Sequence, residues 1–250
     1  MSESKADLLE IFSSIQGEGL FVGVRQVFIR FQACNLDCIY CDTGKNAVSE
    51  WCAVEETPGR RDFVREKNPI AIDRITPLLG KWANDCPGLH HSISLTGGEP
   101  LLHFDILREW LPALRSFLPI HLETNGTLQA ALAPLIGNLD HISMDIKLPS
   151  SSGQADLWEK HRKFLETAAR KSVAVKIVVG ETVEAGEITT ASELIASIDR
   201  NIPLILQPVT LENGSIGISP LKALELYELA AGLLREVRII PQTHRFLGQL

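Results

Sequence analysis

The clearest pattern along the chain is an alternation between short apolar runs and longer segments whose apolar residues have helical spacing. The strongest short run is 173–179, which is rich in β-branched residues, ends at Gly180 and predicts a buried strand. Amphipathic segments follow most of these runs. The predicted strands are 92–96, 120–123, 141–146, 173–179, 204–206 and 237–240, and the predicted helices are 69–83, 104–118 with an interruption at Pro112, 128–136, 155–170, 188–198 and 220–234.

Two further strands are predicted before these repeats, one through Ile11 and Phe12 and one over 27–31. Strand, loop and helix repeated in this order indicate parallel βα units joined by right-handed crossovers. The units are too few for a complete eight-fold barrel. The predicted fold class is therefore α/β, a partial (open) βα barrel of parallel strands in a single domain over 1–250, with a doubly wound sheet as the alternative.

One stretch does not fit the repeat. Residues 44–68 are polar and have no clear period, with Glu55-Glu56 and Pro58-Gly59 breaking any pattern. The sequence predicts a polar excursion from the fold here, a solvated loop rather than a lid.

Polar residues follow several predicted strands directly. In parallel α/β folds the ligand site lies at the carboxyl ends of the strands, so these residues are expected to surround one ligand. The set comprises a cysteine loop over 34–41, Gly97-Gly98-Glu99-Pro100, Thr124-Asn125, Asp145-Ile146-Lys147 and Gln207-Pro208.

The cysteine loop contains Cys34, Cys38 and Cys41 in a C-x3-C-x2-C spacing. Three thiolates on one loop can hold a metal cluster and leave one metal position without a protein ligand, as catalytic sites require. An iron–sulfur cluster is the favoured interpretation. A zinc site with a distant fourth ligand and incidental cysteines remain as alternatives, while a disulfide cannot pair all three. Cys52 and Cys86 are interpreted as structural.

Composition narrows the class of protein. The 250-residue chain has a formal net charge of −7, which argues against a nucleic-acid-binding surface. No apolar run has the length that a membrane span needs. The polar, acidic beginning of the chain predicts neither a signal peptide nor a transit peptide, so a cytoplasmic location with reduced thiols is expected.

Several motifs together resemble a known family. Cys34-x3-Cys38-x2-Cys41 followed by Gly97-Gly98-Glu99-Pro100 is similar to the radical S-adenosylmethionine (SAM) superfamily. Within it, the chain resembles the 7-carboxy-7-deazaguanine synthase family. The residues that carry this closer resemblance are Ser14-Ile15-Gln16-Gly17-Glu18-Gly19, Phe28-Ile29-Arg30-Phe31, Asn35-Leu36, Cys41-Asp42-Thr43, Glu123-Thr124-Asn125-Gly126-Thr127 and Gln242-Thr243-His244.

The resemblance implies a radical-SAM lyase. Its substrate would be 6-carboxy-5,6,7,8-tetrahydropterin, its product 7-carboxy-7-deazaguanine with loss of ammonia, and its context 7-deazapurine (queuosine-type) biosynthesis. The implied cofactors are a 4Fe–4S cluster, SAM and Mg²⁺, and the implied partners are an external electron donor and a second copy of the chain in a homodimer. Two alternatives remain: a radical-SAM activator of a glycyl-radical protein, and a zinc-binding structural module.

The resemblance also assigns residues. The cluster ligands are Cys34, Cys38 and Cys41, and Thr43 would bind Mg²⁺ with Asp42 in support. Arg30 interrupts an apolar strand and is a candidate fork for the substrate carboxylate, with a buried ion pair as its alternative role. The other substrate-binding candidates are Ile15, Gln16, Gly17, Glu18, Thr96 and His244, and the SAM-binding candidates are Gly97, Gly98, Glu99, Asn125, Ser143, Asp145, Lys147 and Gln207.

Overall fold

The computed structural model describes residues 4–41 and 48–250. Its strands are β1 Lys5–Ala6, β2 Leu8–Ile15, β3 Arg25–Phe31, β4 Trp51–Glu55, β5 Phe63–Lys67, β6 Ile70–Ala71, β7 Ser92–Gly97, β8 Ile120–Thr124, β9 His141–Asp145, β10 Ser172–Val179, β11 Leu204–Pro208 and β12 Val237–Ile239. Its α-helices are α1 Ile72–Asp85, α2 Phe104–Arg115, α3 Gln129–Leu135, α4 Pro149–Ser152, α5 Trp158–Ala168, α6 Ala185–Ile198, α7 Pro220–Ala231 and α8 Thr243–Phe246. Short 3₁₀ helices cover Gly19–Phe21, Pro100–His103 and Ile136–Asn138.

The described residues form one large sheet in the order β12-β11-β10-β9-β8-β7-β3-β2-β4-β5. Strands β3 and β7 to β12 are parallel, and β2 is antiparallel to β3. The alternation of strands and helices therefore produces the predicted α/β fold, a largely parallel sheet in which sequential strands from β7 onward are neighbours, as right-handed crossovers favour.

The helices pack their apolar stripes on this sheet. In α1 the spacing of Ile75, Leu78, Leu79 and Trp82 places these side chains on one face, and all four are buried. Helix α2 runs through Pro112 without a break, contrary to the predicted interruption. Pro112 lies on the exposed face, where the carbonyl that loses its hydrogen bond can be solvated.

The predicted polar excursion over 44–68 is wrong for the part of it that the structure describes. Strands β4 and β5 form an antiparallel hairpin that extends the main sheet beyond β2. Cys52 and Val54 alternate with more exposed positions and are completely buried, so the hairpin has a core face. The alternation was hidden because β5 is an edge strand whose outward positions are charged.

The cysteine loop and the loop after β2 lie at opposite ends of the parallel strands. The cysteine loop follows the carboxyl end of β3, whereas Ile15 pairs with Arg25 at the amino end of β3. The aromatic ring of Phe21, in the loop after β2, packs 5.1 Å from the ring of His121 and 4.7 Å from that of His141. Burial lowers the pKa of His121 to about 3, so this imidazole is neutral and serves in packing and hydrogen bonding.

Among the described residues, no helix combines the length and the apolar character that crossing a bilayer demands.

Candidate active site

A cavity of about 520 Å³ extends from the cysteine loop to the loop after β2. Its volume is within the range typical of small-molecule sites. Nearly all the predicted site residues line it: Ile15, Gln16, Gly17, Glu18, Arg30, Cys34, Cys38, Cys41, Thr96, Gly97, Gly98, Asn125, Ser143, Asp145, Lys147, Gln207 and His244. Glu99 does not line the cavity, and the predicted magnesium ligand Thr43 and its supporting residue Asp42 lie outside the described residues.

The cysteine loop is fixed by backbone hydrogen bonds. The Cys41 amide donates to the Cys38 carbonyl over 3.1 Å, and the Ile39 amide donates to the Ser152 carbonyl over 3.1 Å. Cys34 and Cys41 are exposed and Cys38 is buried. Burial raises the pKa of Cys34 and of Cys38, and the Lys147 ammonium opposes the rise at Cys38. A metal must therefore displace protons from these thiols, as metal binding to cysteine generally does.

The donor set fits an iron–sulfur cluster. The described residues contain no group of three or more His, Cys, Asp or Glu side chains that converge on a single ion. A 4Fe–4S cluster has a different requirement, because its thiolate ligands bind separate irons. Three soft thiol donors on one loop, at the wall of a large cavity, meet that requirement.

Gly97 and Gly98 allow close packing between the end of β7 and the root of the cysteine loop. The Gly98 amide donates to the Phe31 carbonyl over 3.1 Å, and the Glu99 amide donates to the Ala33 carbonyl over 2.8 Å. A Cβ at Gly98 would lie 1.8 Å from the Ala33 carbonyl oxygen. Gly97 has φ near +120°, which disfavours any side chain. The glycine pair therefore holds the loop that carries the cysteines.

The Glu99 carboxylate is buried and bonded within the protein. Oε1 accepts from the Leu101 amide over 3.0 Å, and Oε2 accepts from the Asn125 amide over 2.7 Å. The Thr124 hydroxyl donates to both oxygens. Burial raises the pKa of Glu99 to about 7, although these donors work in the opposite direction. Glu99, which was predicted to bind SAM, thus ties two loops together and does not line the cavity.

A chain of opposite charges crosses the cavity. Lys176 contacts the carboxylates of Glu18 and Asp145, and Lys147 Nζ lies 2.6 Å from Asp145 Oδ2. Burial disfavours the ionised forms, but the neighbouring carboxylates raise the pKa of both lysines above the ordinary value. For Asp145, the two lysines outweigh burial and lower its pKa. Lys176 was not among the predicted site residues, although it is a lone charge within the most apolar strand.

Glu123 is a second site residue that sequence reasoning missed. Its carboxylate lines the cavity, where Oε1 accepts from Gln16 Nε2 over 2.9 Å and from the Ser94 hydroxyl. The Thr96 hydroxyl donates to Oε2 over 3.3 Å. Burial raises the pKa of Glu123, and the negative charge of Glu18 adds to the rise. The sequence does contain an indication of this role, because Glu123 is the first residue of the Glu-Thr-Asn-Gly motif at the end of a predicted strand. As part of that strand, it was not predicted to face a ligand.

The Gln16 amide serves mainly to position its neighbours. Its Nε2 donates to Gln26 and to Glu123, each over 2.9 Å, and its Oε1 accepts from the Glu18 amide over 3.0 Å. Both amide protons are therefore used, which leaves little capacity for a ligand.

Arg30 makes the ion pair that was its alternative role. Its Nε lies 2.6 Å from Glu10 Oε1, and its guanidinium carbon lies 5.8 Å from the centre of the Phe12 ring. Arg30 nevertheless lines the cavity. Glu10 and Phe12 fix the direction of the guanidinium, as a carboxylate-binding fork would require.

Two motifs that are distant in sequence meet at the cavity. The Thr243 amide donates to the Gly17 carbonyl over 2.9 Å, and Gln242 Nε2 donates to Glu18 Oε1 over 2.8 Å. A Cβ at Gly17 would lie 2.1 Å from His244 Nδ1, so this contact needs glycine. The carboxyl-terminal segment thereby fixes the loop after β2.

Another part of the cavity wall contains buried polar atoms whose hydrogen-bonding capacity is unsatisfied among the described residues. Gln207 and Thr210 line the cavity, and within the part of the chain that the structure describes Gln207 Oε1 and Thr210 Oγ1 are buried without a hydrogen-bond partner. Ser143 Oγ is already within 2.8 Å of His121 Nε2. Such unsatisfied atoms are costly unless a ligand or water pairs with them. Gln207 and Thr210 therefore mark where a polar ligand fits.

Comparison with known protein sequences identifies relatives of this chain. The sequence profile of the Radical SAM superfamily matches residues 28–188. The chain is 59% identical over 250 residues to a 7-carboxy-7-deazaguanine synthase of Geobacter sulfurreducens, covering 100% of both chains. It is 34% identical to a synthase of the same name from Methanothermobacter thermautotrophicus, covering 98% of each.

Solved structures support the fold. QueE from Escherichia coli is similar with a TM-score of 0.57 at 20% identity, over 95% of this chain and 94% of that one. A radical SAM methyltransferase from Sphaerobacter thermophilus gives a TM-score of 0.61 at 12% identity, over 87% of this chain and 66% of that one. At these identities the likeness concerns the partial barrel alone.

Proposed function

The chain belongs to the 7-carboxy-7-deazaguanine synthase family of radical SAM enzymes, and we propose that the cavity between the cysteine loop and the loop after β2 is where it binds SAM and a carboxypterin. Membership of this family decides against a zinc-binding structural module and against an activator of a glycyl-radical protein. The substrate is 6-carboxy-5,6,7,8-tetrahydropterin and the product is 7-carboxy-7-deazaguanine, made with loss of ammonia.

Cys34, Cys38 and Cys41 hold the 4Fe–4S cluster. The cluster and SAM, when bound, supply the one-electron chemistry that begins the reaction. An external electron donor is the proposed partner that would supply the electron. The glycine pair and Glu99 keep the cysteine loop in place, and the buried Lys147 ammonium provides a compensating positive charge close to Cys38. The residues around the cluster therefore act by orientation and by electrostatics.

Polar groups at the carboxyl ends of β7 to β11 would hold SAM. Among the described residues, Gln207 Oε1 and Thr210 Oγ1 are buried polar atoms with unsatisfied hydrogen-bonding capacity. SAM has ribose hydroxyls and an ammonium group that can donate to them. Gly97 and Gly98 give the backbone close access to the ligand on the opposite wall. Asp145 and Lys147 complete the polar surface between the two walls.

The single observation that carries the substrate assignment is the fixed carboxylate of Glu123. A pterin presents N–H donors on its pyrimidinone edge, and Glu123 Oε2, which accepts from Thr96, has a second lone pair that can accept from one of them. Gln16, Ser94 and Thr96 hold Glu123 in one orientation. Arg30, already fixed by Glu10, faces the same cavity with the charge that the substrate carboxylate needs. His244 and Glu18 contribute further polar groups.

Substituting Glu123 tests this assignment. Glu123→Gln keeps the shape of the side chain and removes its charge. Because a hydrogen bond to a charged group is worth about 1.5–3 kcal/mol, KM for the carboxypterin should rise about tenfold or more. The affinity for SAM alone should remain that of the native enzyme.

The matched control is Glu109→Gln, since Glu109 is an exposed carboxylate on α2. The control should leave KM unaltered. A Glu123→Gln enzyme with native KM would remove the basis for placing the pterin edge at this carboxylate.

Mg²⁺ is proposed to bind Thr43, with substrate oxygens and waters completing an oxygen shell of the kind that this ion prefers. Thr43→Ala should increase the Mg²⁺ concentration needed for half-maximal activity. Titration of the anaerobic reaction with MgCl₂ measures this directly, with Thr190→Ala, a substitution on α6, as the control. Equal Mg²⁺ requirements in Thr43→Ala and the native enzyme would refute the assignment.

A homodimer is proposed as the assembly and the cytoplasm as the location. Sedimentation of the anaerobic protein measures the mass of the assembly.

A further inference from the structure

The cysteine loop and the loop after β8 are joined by a closed ring of side-chain hydrogen bonds. Asn125 Nδ2 donates to Asn35 Oδ1 over 2.8 Å, and Asn35 Nδ2 donates to Thr127 Oγ1 over 3.0 Å. The Thr127 hydroxyl closes the ring by donating to Asn125 Oδ1 over 2.6 Å. Asn125 is 6% exposed and Thr127 8%, so water competes poorly for these bonds.

Asn125 also contacts a cysteine sulfur. Its Nδ2 lies 3.7 Å from Cys34 Sγ, within hydrogen-bond reach for sulfur. The Thr127 amide donates to Asn125 Oδ1 over 3.2 Å, so both N–H bonds and the carbonyl oxygen of the Asn125 side chain are occupied. A side chain with this set of partners has no free donor for SAM, which was its predicted ligand.

The backbone of Asn125 is held as firmly as its side chain. Its amide donates to Glu99 Oε2 over 2.7 Å, and the Glu99 amide in turn donates to the Ala33 carbonyl. Asn125 is thus fixed to the loop after β7 at one end and to the cysteine loop at the other. A side chain anchored on both sides can keep a sulfur at a set position.

We propose that Asn125 is a positioning residue for the iron–sulfur cluster, which sets the place of Cys34 and donates a hydrogen bond to its sulfur. The inference rests on the proposed function, because it requires the cluster. Reduction adds negative charge to the cluster and its sulfurs, and an N–H donor stabilises that charge. The hydrogen bond therefore makes the cluster easier to reduce, which is one of the recognised ways in which a protein sets a cluster potential.

Two substitutions at this position separate a lost hydrogen bond from an added charge. Asn125→Asp keeps the shape, removes both N–H donors and adds a negative charge. Asn125→Ser removes both amide N–H donors, leaves only a shorter hydroxyl in their place and adds no charge. The measurement is the midpoint potential of the reconstituted cluster, followed by electron paramagnetic resonance during anaerobic titration without SAM.

We expect the one-electron reduction of the cluster to become at least about tenfold less favourable in Asn125→Ser, which corresponds to about 59 mV. Asn125→Asp should shift further in the same direction. Asn138→Ser, at the end of the 3₁₀ helix Ile136–Asn138 and away from the cavity, is the control and should keep the native potential.

Retention of the cluster is the second readout. Thr127→Val breaks the ring but leaves the contact between Asn125 and sulfur, so it should lose iron to a chelator faster than the native protein does. Failure of a folded Asn125→Ser protein to retain any cluster also supports the positioning role.

An Asn125→Ser protein with the native potential and the native rate of iron loss would overturn the inference, even if Asn125→Asp were shifted, because the shift would then be due to charge alone. The native protein is reconstituted with iron and sulfide before the variants are measured. If it forms no 4Fe–4S cluster, the proposed function fails independently of Asn125.

Discussion

Replacing Gly98 with alanine is expected to weaken retention of the cluster about tenfold or more while most of the fold remains. The new Cβ would lie 1.8 Å from the carbonyl oxygen and 2.4 Å from the carbonyl carbon of Ala33, both backbone atoms that cannot rotate away. The segment that leads into Cys34 must therefore move. Overpacking of this kind costs about 1–3 kcal/mol, and the displacement falls directly on the cysteine loop.

Iron and sulfide analysis after anaerobic reconstitution, followed by challenge with a chelator, measures the effect. Because the strain would weaken binding of the cluster, the affinity with which the protein retains its iron against the chelator should fall about tenfold or more. Gly137→Ala is the matched control, because a Cβ at Gly137 meets no atom of the described residues within 4 Å. A Gly98→Ala protein that retains its cluster as the native protein does would show that the loop tolerates displacement.

The second large effect is expected from Lys176→Met. Lys176 contacts Glu18 and Asp145 in the cavity, and its side chain is only 14% exposed. Removing the ammonium leaves two partly desolvated carboxylates without this partner. Breaking a buried ion pair by removing one side costs about 3–5 kcal/mol. The apoprotein should lose stability by an amount of this order, and the loop after β2 should lose the contact of Glu18 with β10.

Urea denaturation of the apoprotein measures the first consequence, and KM for the carboxypterin measures the second. Lys163→Met provides the comparison, since Lys163 pairs with Glu159 on the exposed face of α5 and such pairs contribute about 0–1 kcal/mol. Equal stability losses in the two variants would mean that the charges in the cavity are solvated like those on the surface.

The parallel repeat was predictable because periodicity and turn residues report local structure. The strands after residue 90 and their helices lie where the pattern placed them, and the rule for strand ends brought Asp145, Lys147 and Gln207 to one cavity. The pattern of apolar and polar residues does not indicate whether two neighbouring strands run parallel or antiparallel. Whether β2 runs with or against β3 depends on their tertiary pairing, so the position of the Gln16–Gly19 turn opposite the cysteine loop could not be foreseen.

The roles of individual polar groups were harder to predict than their location. Glu99 and Asn125 sit in motifs that the family resemblance assigned to SAM, yet their donors and acceptors are used between loops. Glu123 and Lys176 lie within strands. The sequence of a strand does not show whether a polar side chain faces a cavity or the solvent. Only the three-dimensional arrangement shows which partners each group has.

The most direct test of the account is an anaerobic reaction of the reconstituted protein with a reductant, SAM, Mg²⁺ and 6-carboxy-5,6,7,8-tetrahydropterin, analysed by mass spectrometry. We expect 7-carboxy-7-deazaguanine to form only when all the components are present, and not to form when Cys34, Cys38 or Cys41 is replaced by alanine. A reconstituted protein that binds iron but leaves the carboxypterin unconverted under these conditions would contradict it.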